Sequence, residues 1–148
     1  MELVETDLET LIKETLASIT VPSGVTVSLE AEPYLPMLVL DPQKLRRVVI
    51  NLVNNAVQAM PRGGHITISV LCRDGWAKVV VRDTGVGIKE EVLPRIFQPL
   101  FTTRDRGTGL GLVVCKRLVE AMGGRITIKS KAGSGTDVIL EIPARREE

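Results

Sequence analysis

Residues 65–83 read HITISVLCRDGWAKVVVRD. Polar and apolar residues alternate along 65–72, and β-branched residues crowd 76–83, so both stretches predict strands. Arg73-Asp74-Gly75 between them carries the Asp-Gly signal of a tight hairpin turn. Working upstream, Asp41-Pro42 offers a helix N-cap followed by proline at the first helical position. QKLRRVVINLVNNAVQAM continues from there as an amphipathic helix that Pro61, Gly63 and Gly64 stop. Before it lie a helical pattern over 7–18 (Leu8, Leu11, Ile12, Leu16), an alternating strand VTVSLE at 25–30 and the Pro-punctuated stretch EPYLPMLVLDP. Downstream, 84–109 is Gly- and Thr-rich and irregular, with a helical turn expected near 89–95. A helix over 110–122 ends at Gly123-Gly124, and two strands, RITIKSK and TDVILEI, flank Ala132-Gly133-Ser134-Gly135. The order αββαββ, long loop, αββ predicts an α+β fold: a two-layer α/β sandwich with a mixed sheet and about three helices on one face.

The chain's 148 residues suit one domain spanning 1–148. Nineteen Lys and Arg against 18 Asp and Glu leave a net charge of +1, which argues against a nucleic-acid module built on uncompensated cations. Aromatics are only 3%, so base-stacking platforms are not expected and the core must be aliphatic. Cys72 and Cys115 have neither metal-site spacing nor a disulfide framework, and they read as small buried apolar residues. No apolar run reaches the roughly 18 residues of a membrane helix, and the acidic start MELVETDLETL is no signal peptide. The expectation is a cytoplasmic domain without membrane contact, although a larger parent protein could itself be membrane-anchored.

Four segments carry polar chemistry. On the helix from Pro42, Val48, Val49, Leu52, Val53, Ala56 and Met60 form a wide apolar arc. Lys44, Arg47, Asn51, Asn55 and Gln58 form a stripe beside it. Asn51 and Asn55 are i,i+4 neighbours whose amides project together. They are either a solvated face or hard neutral ligands for a Mg²⁺ that already carries phosphate. The strand ending in Asp83 runs into Thr84-Gly85-Val86-Gly87, which places a carboxylate at a sheet edge beside glycines that permit close backbone approach. Arg106-Gly107-Thr108-Gly109-Leu110-Gly111-Leu112 opens straight into a helix, a natural phosphate site or simple close packing. It lacks the βαβ setting of a dinucleotide fingerprint and the Lys-Ser/Thr of a P-loop. Gly133-Ser134-Gly135-Thr136 alone reads as a hairpin turn. A 25-residue connection without firm structure is itself a functional signal.

Taken in order, these segments resemble the catalytic ATP-binding domain of two-component sensor histidine kinases, which shares a superfamily and the Bergerat ATP-binding fold with gyrase B, Hsp90 and MutL. NLVNNA resembles that family's asparagine box, DTGVG and GTGLGL its two glycine boxes, FQPLF (Phe97, Phe101) its phenylalanine box, and GSGT its last small box. The resemblance covers nearly the whole chain. It implies that Asp83 accepts a hydrogen bond from the adenine amine, with Thr136 supporting it, and that Ile88 and Leu112 line the adenine slot with Gly85 and Gly87 nearby. Asn55, helped by Asn51, would hold Mg²⁺. Residues 94–108 resemble the ATP lid. Thr102, Thr103, Arg104, Gly107, Thr108, Gly109, Leu110 and Gly111 would meet the phosphates, Pro94 and Pro99 would restrict the lid, and Lys44, Arg47 and Arg106 are further candidates. The lid's FTT and the helix's NAxQAM pattern resemble the NtrB-like branch, whereas many other members carry an aromatic residue at Ala59 and Lys at Gln58.

The resemblance further implies a protein histidine kinase, acting on a histidine of a separate helical dimerisation domain and relaying to a response-regulator receiver domain. That phosphoacceptor domain is not recognisable here, so the isolated domain is expected to be a monomer unable to autophosphorylate. His65, the single histidine, reads as an exposed strand residue. Gyrase-like relatives place a general-base Glu at the position of Asn51, and an amide cannot take a proton from water. Two other readings stand beside this one. A nucleotide-sensing anti-sigma-like module or serine kinase would share the boxes. An aspartic protease would use Asp83-Thr84-Gly85 but leave the other boxes unexplained.

Overall fold

The computed structural model describes residues 2–97 and 111–146. In chain order it contains β1 (Val4–Thr6), α1 (Leu8–Ala17), β2 (Val25–Ala31), β3 (Leu38–Leu40), α2 (Pro42–Gln58) and β4 (Gly64–Arg73). There follow β5 (Trp76–Asp83), a 3-10 turn (Leu93–Arg95), α3 (Gly111–Ala121), β6 (Arg125–Ser130), β7 (Thr136–Pro143) and β8 (Arg145–Arg146). The main sheet has five strands in the order β2-β4-β5-β7-β6. β2 pairs parallel with β4, and every other neighbour is antiparallel. The mixed sheet and its three helices are those the sequence predicts.

The hairpin is central. Asp74 (φ 52°) and Gly75 (φ 82°) both take the positive φ that a two-residue primed turn requires. Arg73 then faces Trp76, and the register carries through to Ile66 opposite Asp83. Period-two burial decides which face packs: Ile66, Ile68, Val70 and Cys72 on β4, and Ala77, Val79, Val81 and Asp83 on β5, are all buried. The helices cover this face. α2 presents Leu45, Val48, Val49, Leu52, Val53 and Ala56 to the core, and α1 adds the fully buried Leu8 and Ile12. The opposite face carries cross-strand ion pairs, Arg82 to Asp137 and Arg125 to Glu141, each with N–O distances of 2.9 Å.

α2 begins as its sequence dictates. The Asp41 side chain accepts from Lys44 N, and Pro42 occupies the first turn. The Pro-punctuated stretch contributes β3. The sequence does not predict β1 and β8, which flank β3 in a second, three-stranded antiparallel sheet. Strands of two and three residues hold too few side chains for alternation to register. Among the described residues no helix is long and apolar enough to cross a membrane.

Candidate functional site

Asp83 ends β5 on the helix-facing side of the sheet and is only 7% exposed. Its Oδ1 accepts the Gly85 N–H at 2.8 Å, an Asx turn that starts the following loop. Thr136, 8% exposed, lies directly across on β7. Both line a cavity walled by apolar groups from five elements and the loop, including Leu52, Val81, Ile88 and Leu112. At about 130 Å³ the cavity is smaller than the ~300–1,000 Å³ of pockets that enclose a whole drug-sized ligand. It therefore suits one planar ring system rather than a complete nucleotide. Asp83 is the only titratable side chain among the described lining residues.

Asn55 lines the same cavity from α2. A Cβ built on Gly111 would stand 3.5 Å from both Asn55 Nδ2 and Oδ1, so the amide sits beside the first residue of α3. At such a position the first N–H groups of a helix, which have no partner within the helix, and the positive end of its dipole favour anions. Asn51, one turn earlier, is engaged elsewhere. Its side chain hydrogen-bonds the Cys115 thiol, and Cys115 Sγ also lies 3.8 Å from Val48 O. Asn51 is absent from the described cavity wall, so the i,i+4 pair divides between a wall position and an interhelical contact.

The two loop glycines serve the chain's own packing. A Cβ on Gly85 would stand 2.3 Å from Ala59 O, and one on Gly87 (φ 72°) would stand 2.0 Å from Lys131 O. Val86 N donates to Ala59 O and Gly133 N to Val86 O, so the loop is clamped between the end of α2 and the β6–β7 turn. Gly87 lines the cavity, whereas Gly85 lies on the Ala59 side of the loop. The close approach read from these glycines is thus backbone on backbone.

Thr102, Thr103, Arg104, Gly107, Thr108, Gly109 and Leu110 lie outside the described residues, as do Pro99, Phe101 and Arg106. Pro94 sits in the 3-10 turn. Phe97 is half-buried, with Lys116 Nζ of α3 5.2 Å from its ring centroid, so its contact partner is α3. Lys44 pairs with the N-cap Asp41 at 3.6 Å, and Arg47 is exposed. His65 corrects the expectation of a solvated strand residue. It is half-buried, its Nδ1 and Nε2 face the hydroxyls of Thr26 and Ser28, and its N–H donates to Thr84 Oγ1.

One residue escaped the sequence reading. Ser130, the last residue of β6, accepts from Ile88 N at 2.8 Å, donates to Gly135 O at 2.9 Å and meets Thr136 Oγ1 at 2.7 Å. Its only signal was a small polar residue ending an alternating strand beside the Gly-Ser-Gly-Thr turn.

Residues 40–146 match the family of histidine kinase-, DNA gyrase B- and HSP90-like ATPases, and the chain belongs to it. Within that family its relatives are sensor kinases. It is 42% identical over 121 residues to sporulation kinase D of Bacillus subtilis, covering 81% of this chain and 24% of that protein. It is 40% identical over 126 residues to sensor histidine kinase ZraS of Klebsiella oxytoca, covering 84% and 27%. The chain thus spans about a quarter of the length of these curated relatives. The catalytic domain of histidine kinase ThkA superposes with a TM-score of 0.83 at 32% identity, covering 97% of this chain and 96% of that one. Full-length ShkA in complex with AMPPNP superposes at 0.89 with 28% identity, covering 99% and 32%. The chain is a catalytic domain of the sensor histidine kinase type, a family that the aspartic-protease reading of Asp83-Thr84-Gly85 does not account for.

Proposed function

We propose that this domain binds ATP with Mg²⁺ and delivers the γ-phosphoryl group to a histidine on a separate dimerisation domain, from which it passes to a receiver-domain aspartate. The observation that carries the reading is the buried Asp83 carboxylate across from Thr136, in an apolar cavity of ring-system size whose wall also holds Asn55. An ionised carboxylate only accepts hydrogen bonds, so it suits a base that offers an amino group there. Ile88 and Leu112 would cover the faces of that base.

The described residues contain no cluster of three His, Cys, Asp or Glu that could hold a metal alone. An ion here must share its shell with phosphate oxygens, and the Asn55 amide beside the α3 N-terminus fits that partial role. When bound, Mg²⁺ supplies neutralisation of phosphate charge. Asn51 cannot act as a base toward water, and the described wall residues include no acidic or basic side chain besides Asp83, which supports holding ATP intact until the histidine attacks. The bond from the γ-phosphorus to the β,γ-bridging oxygen then breaks, and ADP leaves. The reading assigns the isolated domain a monomeric state, with no nucleic acid or membrane bound.

Calorimetry of the 148-residue chain tests the site. Asp83→Asn is expected to weaken ATP binding about 10- to 100-fold, from roughly 1.5–3 kcal/mol for a hydrogen bond to a charged group. Asn55→Ala is expected to abolish the gain in affinity that Mg²⁺ gives, while leaving metal-free binding nearly intact. Unchanged affinity in both variants would falsify the assignment. Transfer is tested with γ-labelled ATP and a helical dimerisation domain supplied in trans. Acid-labile label on that domain's histidine is expected, and acid-stable label would point instead to a serine kinase.

A further inference from the structure

The Ser130 hydroxyl has one proton and three polar neighbours. Ile88 N–H can only donate, so Ser130 accepts from it at 2.8 Å. Gly135 O can only accept, so the Ser130 proton goes there, at 2.9 Å. That proton is then spent. The 2.7 Å contact with Thr136 Oγ1 must run the other way, with the Thr136 hydroxyl donating to Ser130. Reversing it would take Ser130's donation from the Gly135 carbonyl and leave the Thr136 proton without this acceptor. Only the first arrangement satisfies all four groups, and Thr136 is left with lone pairs alone for anything else that reaches its oxygen.

Thr136 lines the cavity across from Asp83. From this we infer that Ser130 is a specificity-determining positioning residue, which makes Thr136 an obligate acceptor and so favours a purine bearing an amino group over one bearing a carbonyl at that edge. Ser130 touches no ligand in this scheme. It acts through Thr136, and through Ile88, whose backbone it fixes against the cavity. A carbonyl at the same edge would meet lone pairs at Thr136 as well as at the Asp83 carboxylate. The inference rests on the assignment of this cavity to the base of ATP.

The test compares ATP with inosine triphosphate, which replaces the 6-amino group by a carbonyl, using calorimetry on the full chain. Ser130→Ala releases the Thr136 proton to donate toward the ligand. The ratio of the two dissociation constants is expected to narrow by about five- to tenfold, the scale of one misdirected hydrogen bond. Ser130→Thr keeps the hydroxyl on a β-branched residue suited to a strand, and it should restore the wild-type ratio. In a Thr136→Val background Ser130→Ala should no longer change the ratio. A merely structural role would weaken both nucleotides alike, and an unchanged ratio in Ser130→Ala overturns the inference while leaving the ATP site standing. If wild-type chain bound ATP and inosine triphosphate equally, the base assignment would fail, and the inference with it.

Discussion

Cys115 shows how far a single side chain's chemistry is set by its neighbours. It is fully buried where α3 meets α2, and burial pushes its thiol up to about 12, against the smaller opposing pull of the Asn51 hydrogen bond and the Arg47 charge. With that value the thiolate fraction at pH 8 is about 10⁻⁴, and the thiolate is the nucleophile. Iodoacetamide at pH 8 should therefore leave Cys115 unmodified in the native chain and label it fully in denaturant, as peptide mass spectrometry would report. Native labelling at the rate of a free thiol would contradict this burial. The sequence predicts a buried cysteine here but not the partner. Asn51 pairs with a residue 64 positions later, and no local pattern announces a contact between helices. Ser130 was hidden for a related reason. A serine ending a strand looks the same whether its hydroxyl faces water or joins three neighbours, and only the pairing of β6 with β7 and the return of the Gly87 loop decide which. Asp83 was legible because a carboxylate that continues the face of Ala77, Val79 and Val81 departs from the apolar pattern of that face.

α2 was the most legible element, because its start is written in chemistry that acts locally. Asp41 is 3% exposed and accepts from Lys44 N at 3.2 Å and from Glu2 N at 3.1 Å. It therefore caps α2 and also ties down the residue leading into β1. Burial pushes its carboxyl up, but the two N–H groups and the Lys44 charge together outweigh burial and hold it below the ordinary carboxylate range. A lowered folded-state value means that the stabilisation is complete above the unfolded value, about 3.9. It is lost as pH falls through the folded value. Asp41→Ala is expected to cost roughly 1–2 kcal/mol at pH 7 by urea denaturation. Asp41→Asn keeps a capping oxygen, so it should stay nearer wild type at pH 7 while showing a shallower loss of stability below about pH 4. Equal acid sensitivity in wild type and Asp41→Asn would remove Asp41 from this account. The same local logic explains the misses: β1 and β8 exist because β3 offers them edges, and nothing within their own residues calls for a strand.

Across the whole molecule, the cavity is not a separable pocket, because its wall is drawn from most of the fold. α2 gives Leu52 and Asn55, β5 gives Val81 and Asp83, α3 gives Leu112, β6 gives Ile128, and β7 gives Thr136 and Val138. A ligand seated there contacts elements that are brought together only in the folded state. Several of the same wall residues, Leu52, Ala56, Val81 and Val138, also belong to the buried core. Binding and folding are thus linked, and nucleotide should stabilise the domain by mass action alone. At a free ATP concentration one hundred times its dissociation constant, with Mg²⁺ present, the gain is about 2.7 kcal/mol. For a chain of this size each kcal/mol moves the melting temperature by roughly 2–4 °C, so the midpoint should rise by about 5–10 °C in scanning calorimetry. Asp83→Asn should lose roughly half of that rise for a tenfold weaker site and most of it for a hundredfold weaker one at the same ATP concentration, because the gain grows with the logarithm of ligand over dissociation constant. Raising ATP in proportion to the lost affinity should recover the shift, which separates a weakened site from a damaged fold. A ligand-dependent shift as large in Asp83→Asn as in wild type, at the same ATP concentration, would place the nucleotide somewhere other than beside this carboxylate.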